Sequence, residues 1–217
     1  MRLGRLLRGA AAEVVAVKRI PKDAVRTVDA LRNIKHEVTV MRLLRNARAR
    51  ALPEGSGAAA VAAAEGLAHV AALVDVRISA KSVHIVQIAG GCNLHKLSQI
   101  GGPLSALVLA PVARGLAAAL VAVHAIGWCH RDVKPENVLL GVNAHALEML
   151  ARTDPQHAAA NVHVQLCDFG IASPLPREDE PRLRQLCGSP GFFAPEVRLT
   201  PGRLPRARTS TCARAGS

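Results

Sequence analysis

Hydrophobic positions change their rhythm several times along the chain, and each change predicts an element. Residues 14–20 (Val-Val-Ala-Val-Lys-Arg-Ile) are short and β-branched, which predicts a strand. Over residues 24–44 the side chains Val25, Val28, Leu31, Ile34, Val38 and Met41 recur near helical spacing, which predicts a helix. Residues 45–66 lose that rhythm. They are Ala-, Gly- and Arg-rich around Pro53-Glu54-Gly55-Ser56-Gly57, which predicts a low-complexity insertion in a loop, with some helical tendency in its Ala tract. Residues 70–78 and 83–88 predict two strands, closed by the break at Gly90-Gly91. Residues 104–126 predict a long helix. Short strands at 138–140 and 162–166 flank a second insertion of helical appearance, residues 143–160. Strands with one helix come first, and helices with small strands follow. That order predicts a two-lobed α+β protein, with lobes over 1–88 and 89–196. Residues 197–217 hold five arginines, no acidic side chain and no periodicity, and are read as a disordered tail.

Composition refines this picture in four places. Half the residues are hydrophobic but only 2% are aromatic, so the core is built from Ala, Val, Leu and Ile and buries little area per side chain. The net charge of +12 raises nucleic-acid binding, yet no basic run is interleaved with aromatics as a base-stacking surface needs. Dispersed surface arginine is the better reading, and nucleic acid is disfavoured as a partner. The five cysteines form no C-x-x-C pair and suggest neither a metal site nor a disulfide framework. Reduced thiols, the lack of an apolar stretch after the basic residues 1–8, and a long apolar segment carrying Arg114 and Pro111 together predict an intracellular, soluble protein. It would be cytoplasmic or nuclear, with no membrane span.

Candidate chemistry concentrates in His130-Arg131-Asp132-Val133-Lys134-Pro135-Glu136-Asn137. Asp132 can accept a hydroxyl proton and aim the nucleophile. Lys134 can offset charge on a transferring phosphoryl group, and Asn137 offers a neutral oxygen to Mg²⁺. Asp168, opening Asp168-Phe169-Gly170 after a strand, adds an anionic oxygen. Phosphoryl transfer rests mostly on positioning and charge stabilisation, and these groups make a minimal set for it.

The octapeptide, followed in order by Asp168-Phe169-Gly170 and Ala194-Pro195-Glu196, resembles the signature of eukaryotic protein kinases. The Lys134-Pro135-Glu136-Asn137 context resembles the serine/threonine type. Residues 187–196 look closest to calcium/calmodulin-dependent and calcium-dependent kinases. The resemblance implies ATP and Mg²⁺ as cofactors and a protein as substrate. It implies that Lys18 of Val15-Ala16-Val17-Lys18 holds the α- and β-phosphates and pairs with Glu37. It places Ala16 and Leu139 against adenine, Val86 as gatekeeper, Gln87 and Ala89 as backbone contacts, and Asn93 at the ribose. Asn137 and Asp168 would hold the metal, and Ser189 would bond near Asp132 and Lys134 within the activation segment.

The sequence also departs from the family pattern. No Gly-x-Gly-x-x-Gly precedes Lys18, and no Asp-x-Trp-x-x-Gly follows Glu196. The expectation is a truncated two-lobed fold, with the glycine loop missing and the lower helical lobe incomplete. The alternative function is a catalytically impaired or pseudokinase-like protein-binding module.

Overall fold

The fold was obtained as a computed structural model, which describes residues 1–8, 11–50, 52–101, 104–141, 153–154, 162–176 and 187–193. Strands β1 (Arg2–Arg8), β2 (Ala11–Pro21), β3 (Leu73–Ile78) and β4 (Ser82–Ile88) form one antiparallel sheet in the order β1-β2-β4-β3. The side-chain period of two puts Ala16, Lys18, Ile85 and Gln87 on one face of this sheet, since Lys18 pairs with Ile85 and Ala16 with Gln87. The register of β3 against β4 shifts between Leu73 and Asp75, where β3 carries one extra residue.

Helix α1 (Val28–Arg48) crosses that face. Thr27 starts it by accepting the Ala30 N–H at 3.1 Å, with Asp29 in the first turn to complement the dipole. Its buried stripe is Glu37, Val40, Met41 and Leu44, a spacing of three, one and three that fills one helical face. Val28 and Leu31, expected on the buried side, are exposed; the packed face begins only at Glu37.

The first insertion is more ordered than a loop. Helix α1 runs on to Arg48, and helix α2 (Ala58–Gly66) follows within it. The helical tendency expected of the Ala tract is realised as α2; alanine favours helix intrinsically, though without an amphipathic period to mark its bounds. Helix α2 packs on α4 (Ala106–Ala125) so closely that a side chain at Gly66 would meet the Ala118 carbonyl oxygen at 2.1 Å. Arg48 ties the end of α1 to the same region by donating to the carbonyls of Leu67 and Val70.

The long apolar segment is entered through a short helix, α3 (Leu94–Gly101), and α4 passes through Pro111 without ending. Among the described residues α4 is the one helix long and apolar enough to cross a membrane. Its Val108, Val112, Gly115, Ala119, Ala122 and Val123 face the core, whereas Leu107, Leu109 and Val121 are exposed. Beneath it, β5 (Cys92–Asn93), β7 (Val138–Leu140) and β8 (Val164–Leu166) form a small sheet. Strand β6 (Trp128–Cys129) pairs with β9 (Ser173–Pro174). One apolar cluster runs from α1 (Val40, Met41, Leu44) through Leu73 and Ile85 to Trp128, Leu166 and Phe169, and so joins both halves of the molecule. The second insertion, apart from Thr153 and Asp154, and the tail from 194 onward lie outside the described residues.

Candidate active site

Strand β2 and helix α1 deliver the first half of the site. Lys18 Nζ lies 2.7 Å from Glu37 Oε1 and 2.7 Å from Asp168 Oδ1, so one amine bridges two carboxylates from opposite sides of the cleft. Burial works against the Lys18 charge, but the two carboxylates outweigh it and hold the amine above an ordinary lysine. Burial pushes the Glu37 carboxyl up, with Lys18 pulling the other way. Burial likewise opposes ionisation of Asp168, yet Lys18 keeps its carboxyl below the usual range. Glu37 is 2% exposed, so its pairing with Lys18 is made largely out of water and would be costly to break.

The loop after β6 delivers the second half. Lys134 Nζ lies 2.8 Å from Asp132 Oδ2 and donates to Ser189 Oγ at 2.7 Å. Ser189 in turn donates to Asp132 Oδ1 at 2.8 Å. Asn137 Nδ2 donates to the Asp132 carbonyl at 2.8 Å and to Oδ2 at 3.2 Å. Partial burial would raise the Asp132 carboxyl, but its bonds to Lys134 and Ser189 hold it below the ordinary aspartate. The Asn137 amide nitrogen is thus committed to Asp132, which leaves its oxygen as the atom to offer a cation.

His130 anchors this loop from below. Its buried Nε2–H donates to the Cys167 carbonyl at 2.9 Å, its Nδ1 accepts the Asp132 N–H at 3.2 Å, and its ring meets Phe169 edge-on at 5.0 Å. Those two bonds require the neutral ring, and burial lowers the His130 pKa to match. Cys167, beside Asp168, is driven the other way: burial, then the Asp168 charge, push its thiol up to about 12, so it stays protonated.

The donor set suits Mg²⁺ with phosphate. Asp168 and Asn137 present hard oxygens, and Mg²⁺ is commonly held by one or two such protein ligands together with phosphate oxygens. A side chain at Gly170 would sit 3.1 Å from Asp168 Oδ1 and 3.5 Å from Lys18 Nζ, so glycine keeps the space around that pair open.

On the adenine side the register corrects one expectation, and hydrogen bonds bear on two more. Gln87, not Val86, faces inward: its Nε2 reaches Met41 Sδ at 3.2 Å, while Val86 lies on the other face of the sheet opposite Val17. The Ala89 N–H donates to the Val14 carbonyl at 3.0 Å, so Ala89 keeps only its carbonyl for a ligand. Asn93 Oδ1 accepts the Lys96 N–H at 2.7 Å and caps α3. Ala16 is buried beside Gln87, and Leu139 packs against Gly90. Of the activation segment, Phe169 is fully buried, Ser189 joins Asp132, and Ala194, Pro195 and Glu196 lie outside the described residues. Sequence reasoning missed His36, which reaches the Ala172 carbonyl, and the Met41–Gln87 contact. The position of His36 next to Glu37 was the signal available.

Comparison with known proteins identifies the family. The protein kinase domain matches residues 59–204, about two thirds of the chain. The chain is 32% identical over 112 residues to the serine/threonine-protein kinase PkaA of Streptomyces coelicolor, covering 52% of this chain and 18% of that protein. It is 28% identical over 188 residues to CBL-interacting serine/threonine-protein kinase 20 of Arabidopsis thaliana, covering 85% and 34%. It is 30% identical over 114 residues to the serine/threonine-protein kinase PLK4 of Drosophila ananassae, covering 52% and 12%. The matches thus span between 12% and 34% of these relatives. A lysine bridged to two carboxylates and an aspartate ringed by lysine, serine and asparagine lie within, or fold against, the matched stretch, and the chain belongs to the protein kinase domain family.

Proposed function

We propose that this chain transfers the γ-phosphate of ATP to serine or threonine hydroxyls of a protein substrate. The observation that carries the reading is the ring of contacts around Asp132. A carboxylate kept ionised by Lys134, Ser189 and Asn137 is an acceptor for a hydroxyl proton, aimed by three partners at once. Lys134 stands where it can offset charge on the phosphoryl group that Asp132 addresses. Asn137 and Asp168 would hold Mg²⁺, which when bound neutralises phosphate charge and orients the phosphates. Lys18, steered by Glu37, would hold the α- and β-phosphates, and Ala16 and Leu139 would enclose adenine, with the Ala89 carbonyl at its edge. On this reading the chain divides into lobes over 1–88 and 89–196, with a tail at 197–217. The same reading takes the chain to work in the cytoplasm or nucleus, which the cysteines without a disulfide pattern support. Kinship with the calcium/calmodulin-dependent and calcium-dependent kinases belongs to the same reading and rests on residues 187–196.

The test is incubation of the purified chain with labelled ATP, Mg²⁺ and a basic protein substrate. Transfer that is lost in Asp132→Asn and in Asp168→Ala supports the proposal. A second reading, a protein-binding module with impaired catalysis, is favoured by the exposed Leu107, Leu109 and Val121 on α4. It gains if wild-type protein shows neither transfer nor a nucleotide-induced thermal shift.

A further inference from the structure

The segment after Asp168 is held through three consecutive backbone carbonyls, each by a donor from a different element. Arg131 Nε donates to Ile171 O at 2.6 Å, the His36 ring to Ala172 O through Nδ1 at 3.2 Å, and Cys129 Sγ to Ser173 O at 3.2 Å. Arg131 and Cys129 belong to β6 and the loop that follows it. His36 alone among these three comes from α1. Its ring also meets Trp128 at 5.2 Å, edge to face at 86°, directly beneath the β6–β9 pair. Glu37 is the next residue on the same helix, turned about 100° around the axis toward Lys18.

We propose that His36 is a positioning residue, a latch that fixes α1 to Ala172 and Trp128 and so holds Glu37 against Lys18. The proposal rests on the assignment of Lys18 and Glu37 to the phosphate site. Without the latch α1 keeps its apolar stripe from Val40 to Leu44, which lies on the far side of Glu37. The half of α1 before Glu37 has exposed apolar positions at Val28 and Leu31, so little else secures it. Release of His36 therefore lets this half swing, and the Lys18–Glu37 contact lengthens while the core stays intact. The hydrogen bond and the ring contact are separable: asparagine can donate to the carbonyl without the ring, and phenylalanine keeps the ring edge without the donor.

The test needs no nucleotide. Amide exchange is followed in α1 and α4, and acylation of Lys18 is followed by mass spectrometry with Lys22 and Lys35 as internal references. In His36→Ala, exchange over residues 28–37 and Lys18 labelling should each rise about fivefold, the opening that loss of one net hydrogen bond allows. Exchange in α4 and labelling of Lys22 and Lys35 should stay unchanged. Lys18 labelling in Glu37→Gln should rise at least as much as in His36→Ala. His36→Asn should restore both readouts, and His36→Phe should restore neither while keeping Trp128 shielded from acrylamide. The sequence has a single Trp and no Tyr, so that emission is read without interference. Unchanged α1 exchange in His36→Ala, a rise spread equally over α4, or failure of His36→Asn to restore Lys18 would each overturn the latch. Failure of wild-type protein to bind Mg²⁺-ATP would instead remove the phosphate-site assignment and leave the latch measurements standing.

Discussion

Stability of this protein should rise with pH through the range below about 6.5, the ordinary histidine value, because of His130. The ring is 1% exposed and uses both nitrogens as a neutral species, Nε2–H toward Cys167 O and Nδ1 toward the Asp132 N–H. Protonation would turn Nδ1 into a donor facing a donor and place a charge in the core. Burial depresses the folded-state pKa, with the Cys167 bond and the Asp168 and Asp132 charges opposing it less strongly. With the folded value below the unfolded one, the unfolded chain binds more protons in that window. Stability therefore falls as pH drops from about 6.5 toward the folded value, by up to about 1.4 kcal/mol per pH unit for one proton. The assay is urea denaturation followed by Trp128 emission at several pH values, for wild type and His130→Phe. The variant keeps a ring against Phe169 but cannot titrate. It should be less stable at neutral pH by roughly 1–3 kcal/mol from the lost bonds, with a shallower pH slope. His124, also lowered by burial, contributes the same remaining slope to both proteins. Equal slopes for wild type and His130→Phe would refute the reasoning.

Gly188 sits at φ +114, and a side chain there would meet the Arg131 carbonyl at 2.9 Å. Gly188→Ala should cost about 1–3 kcal/mol in thermal or urea denaturation, whereas Gly57→Ala, in open space, should stay within about 0.5 kcal/mol. Arg48→Met removes the donor to two carbonyls in a half-buried place and should destabilise by roughly 1–3 kcal/mol; Arg48→Lys should recover part of that in the same assay. Asp132 has a folded pKa below its unfolded one, so its ionised form stabilises the protein above about pH 4 and that gain is lost as pH falls through the folded value. Ser189→Ala removes one of the bonds that depress it. In the variant the acid limb of the transfer rate should move to higher pH, and an unmoved limb would count against the Asp132 assignment.

How much of this was legible in the sequence depends on what kind of interaction fixes each residue. Lys18, Glu37, Asp132, Asn137 and Asp168 stand out because they resemble the family's motifs in order, and the fold brings Lys18 to Glu37 and Asp168, and Asn137 to Asp132. The choice between Val86 and Gln87 could not be read, because facing is decided by register. A strand's period of two says that neighbours point apart, and only the pairing of Ala16 with Gln87 says which of them points inward. Asn93 is expected at a ribose by the resemblance to the hinge, whereas asparagine before the amphipathic stretch 94–101 is also a helix start, and it does cap α3. The helical tendency of the Ala tract was legible from composition and is realised as α2, but its bounds were not, because a mostly alanine segment leaves no periodic contrast to read.

Backbone strain marks the place where local sequence gives way to tertiary ties. Among the described residues the two non-glycine positions at positive φ are Arg131, at 67°, and Asp168, at 62°. Neither conformation is a local preference, and for arginine it is uncommon. Such geometry persists only where the surroundings over-determine it. Arg131 is pinned by its bond to Ile171 O and by Gly188 packed on its carbonyl. Asp168 is pinned by the Gly170 N–H at 3.4 Å and by Lys18, 150 residues away in the chain. The aim of the Asp168 carboxylate, and of the Arg131 backbone that leads into Asp132, is therefore set largely by tertiary partners. A change that loosens Lys18, Glu37 or the segment at Ile171–Ser173 should relax Asp168 toward ordinary φ without touching its own side chain. The motif records which residues carry the chemistry, and the folded ties decide whether they point at it.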